Sequence, residues 1–528
     1  MLHTALGLNG AMSAPHRAAA LAGRDVLAEG GTAIEAMVAA AACIAVVYPH
    51  MNGIGGDGFW IVKRPPGAAP VGIFAGGAAA ALATPDWYSE RAGTPRSRPR
   101  GGAAALTAPG TVDGWRAALD LVEGKTLPLS RLLEPAIAHA EDGIAVTGNQ
   151  SRTTADKLDG LRAVPGFAEH FLIDGRPPAT GRRLTQPALG DTLRRIGRDG
   201  ARAFYDGEIA QAHAAFLEAH GSPLRAGDLA AQTARQVTPL ALDTRWGRLW
   251  NMIPPTQGVA SLMILGIYER LGVDASEGVA HVHGLIEATK QAFLLRNAGL
   301  GDPSSMSEPA TDWLADARLD ALAARIDPGR ALPWPYEPKE GDTIWMGASD
   351  RDGTTVSFIQ SVFWEFGSGL TCPDTGVFFQ NRGAGFSLAP GPNRLTPGKV
   401  PFHTLNPAMA ELTDGRVMAY GTMGGEGQPQ TQSAVFTRYA QYGQDLQAAV
   451  TAPRWLLGKT WGQETTTLKL EDRFDPSLVA ALQDAGHDVE TIAPFSDLAG
   501  HAGAVVHHPS GLFESASDPR ADGAALCL

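Results

Sequence analysis

Two strand-like segments on either side of a tight turn constrain the fold of this chain most strongly. The first segment begins at Thr343, and the second covers residues 356–361 and ends at Ser361. Between them, Asp350–Gly353 combines aspartate and glycine, which tolerate the positive φ angles of hairpin turns. The spacing predicts an antiparallel hairpin in which Thr343 and Ser361 lie on neighbouring strands.

The chain changes character just before this hairpin. The earlier residues are mainly of helical pattern, with Thr32 predicted to cap a second N-terminal helix, and the later residues alternate like short strands. Between Asp327 and Pro338, four prolines and several charges predict an exposed, poorly ordered linker that ends at Thr343. A precursor that is cut at this point has such a pattern, and so does a two-domain protein with an ordinary linker.

Thr343 is a candidate nucleophile, because a cut before it would place a base on the same residue. A threonine hydroxyl needs activation by an adjacent base, and a free α-amine, which titrates near ~7.7, can supply it. Ser361 is the candidate second hydroxyl that orients Thr343 and relays its proton. The glycine-rich residues 420–427 can turn backbone N–H groups towards an oxyanion. The alternative is that Thr343 only begins a strand.

Composition places the chain among globular proteins and narrows its partners. The 528 residues are 44% hydrophobic and carry a formal net charge of -12, which disfavours nucleic acid and anionic membranes. The most apolar stretch, residues 34–47, is too short to span a bilayer and contains Glu35. Three scattered cysteines and a start without a signal-like segment lead us to expect a soluble, cytoplasmic protein.

Two other motifs have weaker functional readings. Gly53–Gly58 matches the dinucleotide fingerprint, but it precedes a short strand instead of opening a helix, so a tight loop near a cleft is the better interpretation. His281 and His283 with Glu287 could bind a metal ion, but no third ligand stands at a convincing spacing, which favours helix packing.

A series of motifs along nearly the whole chain resembles the γ-glutamyltransferase family of N-terminal-nucleophile hydrolases. The resemblance implies an α+β fold, a four-layer αββα sandwich, formed by two subunits cut from one precursor between Asp342 and Thr343. The large subunit would be residues 1–342, mostly helical with part of the central sheets, and the small subunit the strand-rich residues 343–528. The motifs are Gly53–Gly58, Ala108–Val112, Leu127–Leu129, Met252–Thr256, Asp342–Thr343, Asp350–Gly353, Phe366–Gly369, Met423–Gly425, Ala452–Arg454 and Ala516–Arg520.

The same resemblance assigns roles to individual residues. Thr343 would be the nucleophile, Ser361 the supporting hydroxyl, and Gly424 and Gly425 the oxyanion hole. It implies neither a cofactor nor a metal ion, and it allows a dimer of the two-subunit units.

The positions that grip a γ-glutamyl group in this family differ here. An arginine, a serine pair, an asparagine and an aspartate are replaced, and a glutamine of the family becomes Arg382. The loss of a charge-assisted clamp on the carboxylate makes efficient γ-glutamyl transfer unexpected. The residues at the replaced positions are Gly76, His403, Thr404, Phe363 and Gly385.

Within the family, the motifs are most similar to oxamate amidohydrolases of purine-nitrogen breakdown, and they also resemble cephalosporin-type acylases. Oxamate is a small amide with one carboxylate, and Arg382 is the candidate to bind it, with His403 and Thr404 as further donors. Arg382 could instead cap a loop. We expect an autoprocessed amidohydrolase that converts oxamate to oxalate and ammonia. The alternatives are a γ-glutamyl hydrolase or transferase, a cephalosporin-type acylase, and an unprocessed relative without catalysis.

Overall fold

The computed structural model describes residues 3–65, 67–91, 99–334, 342–458 and 465–528. The strands in these ranges follow in chain order: β1 (Ala5–Gly7), β2 (Gly10–Ala14), β3 (Asp57–Lys63), β4 (Val71–Ala75), β5 (Ile144–Ala145), β6 (Arg183–Leu184), β7 (Arg235–Val237), β8 (Leu240–Thr244), β9 (Gly247–Asn251), β10 (Asp342–Asp350), β11 (Thr355–Phe363), β12 (Ala408–Leu412), β13 (Val417–Thr422), β14 (Trp455–Leu457), β15 (Leu468–Glu471), β16 (Val489–Ile492), β17 (Ala502–His507), β18 (Phe513–Ser517) and β19 (Ala524–Cys527).

The α-helices of the same ranges lie mostly before the hairpin. They are α1 (Arg17–Ala28), α2 (Ala33–Val47), α3 (Pro85–Arg91), α4 (Thr111–Leu119), α5 (Leu129–Asp142), α6 (Gly148–Leu161), α7 (Phe167–Phe171), α8 (Pro187–Asp199), α9 (Glu208–Ala219), α10 (Ala226–Ala231), α11 (Gly258–Arg270), α12 (Val279–Gly299), α13 (Asp316–Ala323), α14 (Gly427–Phe436), α15 (Leu446–Thr451) and α16 (Pro476–Asp484).

Most strands belong to two seven-stranded sheets that lie face to face. The first sheet has the strand order β1-β18-β17-β13-β12-β9-β8, and the second has the order β19-β2-β10-β11-β3-β4-β7. Neighbouring strands in both sheets are antiparallel. The predicted hairpin is confirmed, because β10 and β11 pair from Ile344 opposite Gln360 to Ser349 opposite Thr355.

Alternation along the central strands produces four layers, because successive side chains point to opposite faces of a sheet. On β11, Ile359 faces the first sheet and packs in a cluster with Trp345 and Met409. The preceding residue, Phe358, faces the opposite way and packs among residues of the helices α1, α2, α4 and α5. Helices α11, α12 and α14 cover the outer face of the first sheet. The predicted α+β, four-layer αββα sandwich is therefore confirmed.

Helix α2 is apolar all round because it is enclosed on every side. It packs between α1, α5 and strands β10 and β11, and each of its residues is buried. Thr32 caps it as predicted: its hydroxyl accepts a hydrogen bond from the Glu35 N–H, and the Glu35 carboxylate accepts one from the Thr32 N–H.

The two predicted subunits share both sheets and do not form separate domains. Residues before 343 supply β2, β3, β4 and β7 of the second sheet, and later residues supply β10, β11 and β19. Strand β10 begins at Asp342, so the predicted cut lies at the start of a central strand. A chain divided there would stay together through the hydrogen bonds of the sheets. The position of the cut itself stays a prediction.

The prediction of a poorly ordered linker is wrong for its first residues. The stretch 327–334 is largely exposed, yet α12 fastens it: His283 Nε2 donates to the Asp327 carbonyl over 2.9 Å, and Lys290 Nζ donates to the Leu332 carbonyl over 2.6 Å. The Ala331 N–H also donates to the carbonyl of Ala485. The remaining residues of the predicted linker, 335–341, lie outside the described ranges.

Candidate active site

Thr343, Ser361 and Asp57 lie in a row on the face of the second sheet that points to the first sheet. Ser361 on β11 is directly opposite Asp57 on β3. On the other side of β11, the pairing shifts by one residue between Asp342 and Ile344, so that Thr343 occupies a β-bulge beside the end of β11. All three side chains of the row are fully buried. The fold thus brings the two predicted hydroxyls together and adds a carboxyl group.

The register between the sheets follows from the packing of Trp345. A Cβ atom added to Gly421 of β13 or to Gly503 of β17 would lie only 2.2 or 2.6 Å from the Trp345 ring. Two residues further along β10, a Cβ on Gly347 would lie 3.3 Å from the Val505 side chain of β17. Strand β10 therefore runs in the same direction as β17 and opposite to β13.

The same alignment, continued two residues backwards, places Thr343 opposite Met423 at the end of β13. Gly424 and Gly425 follow at once, with φ angles of 117° and 53° that favour glycine. Within the described residues, neither of their N–H groups donates a hydrogen bond. The predicted oxyanion loop therefore lies at the level of the predicted nucleophile, with two N–H groups available to a ligand.

Gln257, which the sequence analysis did not single out, fixes this loop. Its Nε2 donates to the Gly425 carbonyl over 2.8 Å and to the Thr404 carbonyl over 2.7 Å. Its Oε1 accepts a hydrogen bond of 2.8 Å from Arg296, whose guanidinium also pairs with Glu426. One buried amide therefore connects the oxyanion loop to the loop that carries residues 403 and 404.

The glycine motif Gly53–Gly58 packs behind the site, as predicted. A Cβ atom on Gly56 would lie 2.1 Å from the Ser361 carbonyl oxygen, and one on Gly55 would lie 2.0 Å from that of Phe378. The motif leads into β3 and not into a helix. Its glycines serve the close approach of the backbone to the end of β11.

Arg382 reaches the row from the segment that follows β11. It is fully buried, its Nη2 lies 3.5 Å from Ser361 Oγ, and its guanidinium stands 4.2 Å from the centre of the Phe363 ring. Phe363 adopts a φ of 83°, which is unusual for an aromatic residue and marks strain at the pocket wall. Within the described residues, Nε and Nη1 of Arg382 have no hydrogen bond. Burial lowers the pKa of Arg382 to about 9, against the opposing charge of Asp57.

His403 and Thr404 approach from the loop before β12. Both are fully buried, and among the described residues neither the His403 ring nitrogens nor Thr404 Oγ1 form a hydrogen bond. His403 Nε2 lies 3.5 Å from Oδ2 of Asp57. Burial and the Arg382 charge lower the pKa of His403 well below its ordinary value, so its ring is neutral.

Asp57 is the site residue that the sequence analysis missed. Its Oδ1 accepts hydrogen bonds from the Gly77 N–H at 2.9 Å and from Gln380 Nε2 at 3.1 Å, whereas Oδ2 has no such partner in the described ranges. Burial raises the pKa of Asp57 to about 7, although the Arg382 charge acts in the opposite direction. The available signal was an acidic residue at the start of a strand whose next residues, up to Val62, are uncharged and mainly apolar.

Two of the possible metal ligands on α12, His283 and Glu287, lie close to a third residue with a ligand atom, His487. Their side chains are already paired with other groups. Donor atoms of His283, Glu287 and the distant His487 lie within 4.8 Å of one another. His487 Nε2 is 2.9 Å from His283 Nδ1, and Lys290 Nζ donates to Glu287 Oε1 over 2.6 Å. The lysine ammonium thus already supplies the positive charge next to the carboxylate. His281 points elsewhere and contacts Thr437, as expected for helix packing.

A buried threonine at the start of a central strand, inside an αββα sandwich and opposite a glycine loop, defines the class of N-terminal-nucleophile hydrolases. The chain belongs to the γ-glutamyltranspeptidase family, because the family model described as gamma-glutamyltranspeptidase matches residues 19–528. Among the described residues, no helix combines the length and the apolar character needed to cross a bilayer.

Known relatives with full-length similarity act on amides. The oxamate amidohydrolase proenzyme of Klebsiella pneumoniae subsp. pneumoniae is 52% identical over 521 residues, which cover 98% of each chain. A glutathione hydrolase-like proenzyme of Bacillus subtilis is 38% identical over 529 residues, which cover 100% of each chain. The crystal structure of a cephalosporin acylase from Bacillus halodurans matches with a TM-score of 0.91 and 31% identity, over 100% of this chain and 97% of that one. The chain is therefore a hydrolase of amide C–N bonds.

Proposed function

We propose that the chain is a precursor that cuts itself between Asp342 and Thr343 and then hydrolyses a small amide that bears a carboxylate. Oxamate is the proposed substrate, and oxalate and ammonia are the products. Support comes from the 52% identity to an oxamate amidohydrolase proenzyme. The observation that carries the proposal is Arg382, a fully buried cation beside Ser361 with two N–H groups that have no hydrogen bond within the described residues.

The chemistry requires a nucleophile, a base and an oxyanion site in one place. In the cut enzyme, the Thr343 hydroxyl attacks the amide carbon, and the free α-amine of Thr343 takes up the proton. The N–H groups of Gly424 and Gly425 stabilise the oxyanion. The amine returns the proton to the leaving nitrogen, and ammonia departs from the acyl-threonine ester. Water then attacks the ester, and oxalate is released while the threonine hydroxyl is restored.

The pocket favours a short substrate with a single carboxylate. Arg382 would bind the carboxylate, with Thr404 and His403 as further polar contacts. At the position of the family's clamping arginine, a Cβ atom on Gly76 would lie 3.0 Å from the rings of both Phe59 and Phe74, so a side chain there would need these rings to shift. Arg382 is therefore the proposed partner of the substrate carboxylate, in place of the family's arginine.

Two measurements test this proposal. On a denaturing gel, the purified protein should give two fragments that end and begin at Asp342 and Thr343, and Thr343→Ala should give one band near 55.3 kDa. The cut protein should release ammonia from oxamate. A cut protein that releases nitroaniline from a γ-glutamyl nitroanilide but no ammonia from oxamate would exclude the proposed substrate. A single intact band without turnover would indicate an unprocessed, non-catalytic relative.

A further inference from the structure

Three neighbouring buried groups of the site carry hydrogen-bonding atoms that have no partner among the described residues. These atoms are Oδ2 of Asp57, both ring nitrogens of His403, and Nε and Nη1 of Arg382, none of which has a hydrogen bond within the described part of the chain. Asp57 is held in place, because the Gly77 N–H and Gln380 Nε2 donate hydrogen bonds to its other oxygen, Oδ1. Buried polar atoms normally find partners, so a set of unsatisfied ones beside Ser361 indicates a ligand.

The charges of these groups balance only while the site is empty. Among the described residues, Asp57 is the one acidic residue within 4 Å of the His403 ring nitrogens, and it is the one negative charge that acts on buried Arg382. A bound carboxylate would add a second negative charge against the same single guanidinium. An unpaired charge in a dry site is expensive, so one of the two carboxyl groups must become neutral.

We propose that Asp57 takes up one proton from solvent whenever the site binds a carboxylate, so that Arg382 holds the anion while Asp57 and His403 form a neutral hydrogen-bonded pair. Asp57 is then a specificity residue for small monocarboxylates. The protonated Oδ2–H donates to His403 Nε2, an atom already 3.5 Å away. A ligand with an ammonium group next to its carboxylate would need the ionised form of Asp57 instead.

The expected pH dependence follows from linkage. The pKa of Asp57 in the empty site is about 7, so below this value the carboxyl group is already protonated and anion affinity is at its maximum. Above it, the proton must come from solvent, and the association constant falls by up to about tenfold per pH unit. The other titratable groups that face Asp57 are Arg382, His403 and Tyr205, together with the α-amine of Thr343 after the cut.

Calorimetry with propionate tests the inference without any need for turnover. Propionate has a carboxylate and no amide, and it stays ionised from about pH 6 to 9. The self-cleaved protein and its Asp57→Asn variant are titrated at several pH values in two buffers of different ionisation enthalpy, which yields the number of protons taken up. Asparagine keeps the acceptor oxygen for Gly77 and Gln380 and mimics the protonated carboxyl group. The Thr343 amine is present in both proteins, so its contribution cancels.

The parent should take up about one proton more per bound propionate than Asp57→Asn at about pH 8, and its affinity should fall more steeply with pH than that of Asp57→Asn. Equal proton counts in the two proteins would overturn the inference. So would stronger binding of L-glutamate than of propionate that Asp57→Asn abolishes, since Asp57 would then bind an ammonium group. If Asp57→Asn does not fold, Asp57→Ser takes its place.

This inference rests on the proposed function, because both use the same pocket, but the two can fail separately. If the parent takes up one proton more than Asp57→Asn but no ammonia is released from oxamate, the proposed substrate alone is refuted. If oxamate is turned over but the two proteins take up equal numbers of protons, the role of Asp57 alone is refuted.

Discussion

We expect Gln257→Met to lower kcat, although the described hydrogen bonds of the Gln257 side chain go to residues other than Thr343 and Ser361. The amide of Gln257 holds the carbonyls of Gly425 and Thr404 and accepts a hydrogen bond from Arg296. Methionine has a similar size and no donor, so the space stays filled while the three hydrogen bonds are lost.

The three hydrogen bonds of the Gln257 side chain set the expected loss of stability and of kcat. Two buried carbonyls lose a neutral hydrogen bond worth about 1 kcal/mol each, and Arg296 loses a charged one worth about 1.5–3 kcal/mol. The free energy of unfolding should therefore fall by about 4 kcal/mol. The Gly425 carbonyl then keeps only the long hydrogen bond of 3.3 Å from the Gln428 N–H among the described residues. We expect the peptide to turn and an oxyanion N–H to leave its place, and loss of one such donor lowers kcat by about 10²–10³-fold.

Ammonia release from oxamate gives kcat and KM, and thermal unfolding gives the stability. Gln186→Met is the matched control, because Gln186 is also buried and donates over 2.8 Å to a buried carbonyl, that of Val46 in α2, a helix that carries none of the proposed site residues. The control should lose stability and keep its kcat. Gln257→Glu keeps the acceptor for Arg296 but lacks both donors, so it should be as slow as Gln257→Met. A Gln257→Met protein whose kcat stays within about threefold of the parent would refute the reasoning.

Three further outcomes are expected. Ser361→Ala, which also removes the acceptor of the Phe363 N–H, should slow self-cleavage and turnover by about 10²-fold without unfolding the protein; unchanged cleavage rates on a gel would contradict the assigned role. Arg382→Lys keeps the charge but not the planar fork, so KM for oxamate should rise much more than kcat falls, and an unchanged KM would show that the carboxylate binds elsewhere. Lys290→Met leaves Glu287 buried without its ion partner and should lower the free energy of unfolding by about 3–5 kcal/mol. The double variant Glu287→Gln with Lys290→Met should recover part of this loss. A failure to recover would mean that the pair is not what holds residues 327–332.

The features that the sequence predicted correctly depend on neighbours in the chain. The turn at Asp350–Gly353 sets the pairing of β10 with β11, and so the approach of Thr343 to Ser361. The cap at Thr32 likewise depends on a residue three positions away. Such signals are complete within a short window, which is why a single sequence reveals them.

The features that were missed depend on residues far apart in the chain. Asp57 gains its meaning from Arg382 and His403, more than three hundred residues away, and a lone acidic residue in a glycine motif gives no hint of them. Gln257 connects two loops that only the packing of the sheets brings together. The linker was misjudged for the same reason, because its proline content says nothing about the anchoring by α12.

The proposed specificity corresponds to a change in which element supplies the cation that binds the carboxylate. A Cβ atom at Gly76 would lie 3.0 Å from the rings of Phe59 and Phe74, so an arginine at this position would need both rings to shift. The guanidinium of Arg382 comes instead from the segment after β11 and lies 4.2 Å from the centre of the Phe363 ring, with Asp57 as the opposing charge. Among the described residues, Asp57 is the negative charge that acts on the buried Arg382, so a second carboxylate at Arg382 requires that one of the two carboxyl groups become neutral. Under the proposal, a small anion therefore binds while Asp57 takes up a proton from solvent, whereas a substrate that also carries a fixed positive charge needs Asp57 ionised.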